Sequence, residues 1–179
     1  MVELYVVFWM FVFVFAFIGF VRGWAREVLI SASVVFALFV IFVLEQYVPL
    51  IGGYFESKTI PDSNVIPIEQ FWFRILVLGL MLFLGYEGPS LPRISGSRFQ
   101  RDNWRDSLLG LVMGALNGYL IVGTLWAFLD EASYPFGWVS APPTTVDILT
   151  KMPPDLLMQI PHIFIAMIVV FLLIIGVLV

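Results

Sequence analysis

Five apolar runs, at about residues 4–21, 28–44, 71–86, 108–129 and 163–179, divide the chain, and only the third holds a charged residue, Arg74. At a rise of about 1.5 Å per residue, runs of this length suit the roughly 30 Å hydrocarbon layer of a bilayer. In lipid every backbone polar group must find its partner inside the segment, so such runs are helices. The expected fold class is therefore all-α: a polytopic membrane helix bundle of five transmembrane helices, with short interfacial helices in the loops and one membrane domain over 1–179. Composition agrees, with 61% hydrophobic and 12% charged residues against about 45–50% and 25% in soluble domains.

The loops carry the orientation. Arg22 and Arg26 lie in the first, Lys58 in the second, Arg93, Arg98, Arg101 and Arg105 in the third, and Lys151 in the fourth. Basic residues collect on the cytoplasmic side, which puts the amino terminus outside and the carboxyl terminus inside. No Lys or Arg precedes the first run and no cleavage site follows it, so it reads as a mature span.

Glu45 to Gln70 reads as an irregular solvent-side segment, because Pro49, Pro61 and Pro67 accompany Gly52-Gly53 there. Arg74, one turn inside the third span, is expected to snorkel to the interface or to pair with Glu69 or Glu45. From Ser97 the third loop reads as an interfacial helix, with Arg101 and Arg105 on one face beside Asp102 and Asp106. In the last loop, Thr144 and Asp147 have capping-box spacing, and Pro154-Asp155 opens a short amphipathic piece that ends before Pro161.

Gly110, Gly114 and Gly118 stand four residues apart and form one bare strip on the fourth span. Such a strip admits a neighbouring backbone, and in lipid close packing stands in for a hydrophobic driving force between helices. The expected occupant is another membrane subunit or a second copy of the chain. Asn117, beside the strip, is expected to hydrogen-bond to Ser31, Ser33 or another chain.

Chemistry has few carriers. There is no cysteine, hence no disulfide, thiol nucleophile or thiolate metal site. The single histidine, His162, follows Pro161 at the mouth of the last span. An imidazole there could ligate a chlorophyll magnesium or a haem iron, but without a second ligand it reads as an interfacial residue. Asp130, Glu131, Asp147 and Asp155 could join it in a cation site, yet nothing in the sequence fixes the several oxygens such a site needs. No phosphate loop, nucleophile elbow or zinc helix motif occurs. The expectation is a non-enzymatic protein with no metal and no cofactor, whose partners are the bilayer and other membrane subunits or itself, and not nucleic acid. Two alternatives remain: part of an export path for a peptide or small solute, or an accessory subunit of a photosynthetic or respiratory complex, the latter suggested by 17% aromatic residues.

Two stretches resemble motifs of the colicin V production protein family of small bacterial inner-membrane proteins. Gly19, Arg22, Gly23, Arg26 and Glu27 match its G-x-x-R-G-x-x-R-E. Asp106, Leu109, Gly110, Gly114 and Gly118 match its D-x-x-L-G-x-x-x-G-x-x-[RK]-G, in the same order along the chain. The resemblance spans roughly residues 1–131 and implies a bacterial cytoplasmic membrane location, an association with bacteriocin export and envelope phenotypes, and a scaffold-like role without a catalytic activity. Two departures stand out. Asn117 occupies the position of the family's basic residue, and a fifth apolar segment follows the four spans that the family commonly has.

Overall fold

Residues 4–59, 65–87, 104–136 and 149–178 are described by a computed structural model, and within them all regular structure is helical. The helices are α1 (Leu4–Arg22), α2 (Trp24–Tyr47), α3 (Pro49–Glu56), α4 (Ile68–Glu87), α5 (Trp104–Glu131), α6 (Pro153–Leu157) and α7 (His162–Leu178). Four of them, α1, α2, α4 and α5, are long and apolar enough to cross a membrane. The expected fifth span, α7, is apolar throughout but only 17 residues long. By length it is the one of the five that stands apart from the others, so the described residues give four long apolar helices and one shorter one.

α2 is the centre of the bundle. Its middle, Val34 to Leu44, is apolar on every face, as a stretch surrounded by other helices must be, and Ile30, Val34, Ala37, Leu38 and Ile41 along the helix are fully buried. α4, α5 and α7 pack around it, while α1 lies mainly on α5. α1 turns large side chains such as Phe13 and Phe17 outward, which in a bilayer means toward acyl chains.

Charged residues gather near the helix ends. Arg22, Arg26 and Arg105 stand where α1 ends and α2 and α5 begin. Glu45 and Glu131 stand at the opposite end, near the last turns of α2 and α5, and α4 starts beside them. The end with these three arginines is called the basic end, although Glu27, Asp106 and Glu87 share it, and the end with Glu45 and Glu131 the acidic end, although Arg74 lies there.

Between α1 and α2 there is a single non-helical residue, Gly23, at φ 87° and ψ 157°. That left-handed φ favours glycine, and it reverses the chain in one step. The segment read as irregular between the second and third spans is more ordered than expected: α2 continues to Tyr47, α3 follows after Val48, and Pro49 opens α3. Proline at the first position of a helix loses no hydrogen bond, so its presence does not argue against helix there. Near the acidic end, the expected short piece of the last loop is present as α6, whose Pro153 and Met152 fit the notch left by Gly123 of α5. The Tyr119 hydroxyl donates to the Lys151 carbonyl beside it. Arg93, Arg98, Arg101, Asp102, Thr144 and Asp147 lie outside the described residues, and with them the expected interfacial helix from Ser97 and the capping box.

Candidate functional site

The glycine strip faces α1. A Cβ built on Gly110 would strike the Gly19 carbonyl oxygen, one on Gly114 would strike the Phe15 carbonyl and lie 2.9 Å from Gly19 Cα, and one on Gly118 would lie 2.8 Å from Val12 Cα. The approach is mutual, since a Cβ on Gly19 would strike the Gly110 carbonyl. Two backbones therefore touch along three turns. The occupant of the strip is this chain's own first helix, not the other subunit or second copy that the spacing alone suggested. The reason is geometric: the one-residue joint at Gly23 folds α1 back from the point where α5 begins, so the nearest bare surface is taken internally.

The joint is clamped from α5. The Trp24 backbone N–H donates to Asp106 Oδ1 at 3.3 Å, and a side chain on Gly23 would lie 2.7 Å from Asp106 Oδ2. Gly23, the N-cap of α2, has no side chain to offer. An acid from another helix thus satisfies one of the unpaired N–H groups at the start of α2, where the helix dipole also favours negative charge.

One turn deeper lies a polar cluster sealed from solvent. Asn117 donates from Nδ2 to the Glu27 carboxylate at 2.8 Å and to the Glu27 backbone carbonyl at 2.9 Å. Its Oδ1 accepts from the Ser31 hydroxyl at 2.6 Å. Glu27 and Asn117 are both fully buried. Arg22 approaches the other carboxylate oxygen of Glu27 at 3.6 Å and lies over the Tyr86 ring, 4.6 Å from its centroid. Ser31 is one of the partners named for Asn117 from the sequence. Ser33 is not, because its hydroxyl turns back to the Leu29 carbonyl at 2.9 Å. Glu27 was missed as a partner: it sits just before the apolar run 28–44 and reads as an interfacial charge, yet α2 begins earlier, at Trp24, and carries it inside. Arg26 is half-buried on the same turn.

The glycines and acids of both sequence motifs thus converge on one junction of α1, α2 and α5, although more than eighty positions separate Gly23 from Asp106, whereas Leu109 of the second motif is exposed.

The acidic end holds a second ionic cluster. Arg74 is buried and makes a bidentate pair with Glu45, Nε to Oε1 and Nη2 to Oε2, each at 2.8 Å. A third bond runs from Nη1 to Glu131 Oε2 at 2.5 Å, and the Phe128 ring lies 5.2 Å away. Of the two expected partners Glu45 is used, whereas Glu69 pairs with Lys58 at the surface. Glu131, read from the sequence as a candidate cation ligand or a solvent-side acid, is committed to Arg74. His162 is exposed at the start of α7 and borders an open surface hollow with Asp155 and Gln159. Asp155 is held above its ordinary carboxylate range by partial burial and by the nearby Asp130 charge. Among the described residues no three His, Asp, Glu or Cys side chains gather as a metal site would require. Ser107 and Thr124 of α5 are further buried hydroxyls, and neither makes a hydrogen bond among the described residues; nothing in the sequence marked them out.

Compared with known proteins, residues 5–141 match the family model described as colicin V production protein. No curated protein and no solved structure matches.

Proposed function

The chain belongs to the colicin V production protein family, a membrane protein of several apolar helices, and from that premise we propose that it acts as a non-enzymatic scaffold in the bacterial cytoplasmic membrane. One observation carries the reading. The motif residues Gly19, Gly23, Glu27, Asp106, Gly110, Gly114 and Gly118, with Asn117 beside them, are spent on holding α1, α2 and α5 together, so what they build reads as a shape and not a reaction centre. A protein of this kind does its work through its outer faces, on other membrane subunits or on lipid. α7 is the fifth span in this proposal, and the basic end is cytoplasmic by the charge rule.

The test is mild solubilisation followed by identification of co-migrating chains and an absorption spectrum. Defined partner subunits are expected, with no pigment or haem band. A chain that runs alone would overturn the scaffold role, and bound chlorophyll or haem would move the protein to an accessory role in an electron-transfer complex. One observation keeps an export role in play: two ionic clusters are buried within apolar helices, and charges in such places often mark pathways. Solute flux through vesicles that contain only this protein would favour that second reading.

A further inference from the structure

The short helix α3 is fastened to the bundle by one side only. Phe55 is buried, its ring 5.4 Å from that of Phe73 in α4, and Gly52 comes so close to the end of α2 that a Cβ there would strike the Glu45 carbonyl oxygen. Phe73 belongs to the apolar run of α4 and stands next to the buried Arg74. α3 is therefore packed beside the outermost turns of a membrane-spanning helix, not above them, and this fixes the depth at which its free sides lie.

Those free sides differ in character. Leu50 is 85% exposed and Tyr54 is half exposed, and at four residues apart they share one face. Glu56, six residues from Leu50, is exposed about 120° further round at 100° per residue. Lys58 follows one turn after Tyr54, lies 4.8 Å over its ring and pairs with Glu69 in the first turn of α4. Tyr47, the last residue of α2, is exposed as well. Leucine and tyrosine on one face, with a lysine able to snorkel from its edge, suit the boundary between headgroups and acyl chains.

We propose that α3 is an interfacial helix that binds the bilayer surface, with Leu50 and Tyr54 sunk among the upper acyl carbons at the acidic end of the bundle, Lys58 at the level of the phosphates and Glu56 in water. Lipid is the occupant of the exposed face because that face continues, at the same depth, the membrane-spanning surface of α4 to which α3 is fastened. Lys58 is the single base between Glu45 and Gln70 and is matched by Glu69, so the binding rests on apolar area and needs no anionic headgroup. The proposal requires only that the long helices cross a membrane, and it stands apart from the scaffold role.

The absence of cysteine lets one fluorophore report one position. Leu50→Cys, Tyr54→Cys and Glu56→Cys of the whole protein, each labelled with a nitrobenzoxadiazole dye, are placed in discs of phosphatidylcholine, where both membrane faces meet the buffer. Lipid that carries a nitroxide near the top of its acyl chain should dim the dye at positions 50 and 54 and spare it at 56. Iodide in the buffer should do the reverse. Positions 50 and 54 read the same face, so the loss of one variant to misfolding leaves the other to decide. Iodide that reaches 50 and 54 as readily as 56 would overturn the proposal. So would a dye at 50 and 54 sheltered from both quenchers, because a second copy or another protein would then cover the face.

Discussion

Asn117 shows how far a single residue can be read. Its place beside the glycines and its reach to Ser31 follow from helical spacing, but its main partner, Glu27, is hidden by the habit of assigning charges to the ends of apolar runs. Where the family motif has a cation, Asn117 supplies two neutral N–H donors to the same region. Asn117→Leu removes them and strands a buried carboxylate, a carbonyl and a hydroxyl. The expected loss is about 1–3 kcal/mol of stability, measured as a lower midpoint of unfolding in mixed detergent micelles. Arg74 is the larger case. Arg74→Gln leaves Glu45 and Glu131 side by side without their cation, at a cost of about 3–5 kcal/mol by the behaviour of broken buried ion pairs. Lys58→Ala, which breaks the exposed pair with Glu69, should leave the same midpoint where it is, because water and salt screen a pair at the surface. Glu45 was legible as a partner because it ends the preceding apolar run. Glu131 was not, since no local pattern tells that helix ends 57 positions apart in sequence meet in space.

At the scale of helices, the strip on α5 was plain from the four-residue spacing, and its occupant was not. Spacing says that a backbone will come close; it does not say whose. The contact with α1 makes a graded prediction. Gly114→Ala puts a Cβ against the backbone of Phe15 and Gly19, neither of which can yield like a flexible side chain, so α1 must move and stability must fall. Gly79→Ala on α4 meets nothing within 4 Å and should be neutral or slightly stabilising, because alanine is the better helix former. Equal midpoints for the two variants in micelle unfolding would remove the α1–α5 contact as a source of stability. The helices themselves were largely legible from their apolar runs. The exception, α3, was obscured by prolines that serve as helix starters, a role that only the neighbouring backbone reveals.

For the molecule as a whole, the apolar runs gave the class and the four long helices among the five spans expected, whereas the fifth, α7, has a length at the margin of what spans a bilayer. The absence of cysteine makes the arrangement easy to test with single introduced thiols. Lys58→Cys and His162→Cys should react with an impermeant reagent added from outside intact cells, and Arg105→Cys should react only after the membrane is opened. Labelling of Arg105→Cys from outside would reverse the assigned orientation. Labelling of Lys58→Cys and His162→Cys from opposite faces would break the five-span proposal.

The clamp of Asp106 on the one-residue joint at Gly23 also bears on how the protein is made. The first helix leaves the ribosome long before the helix that will hold it, and the carboxylate that fixes its turn belongs to that later arrival. During synthesis the first two helices must therefore wait in the membrane as a loose hairpin, and their final angle is set only when the newest segment slides in beside the oldest.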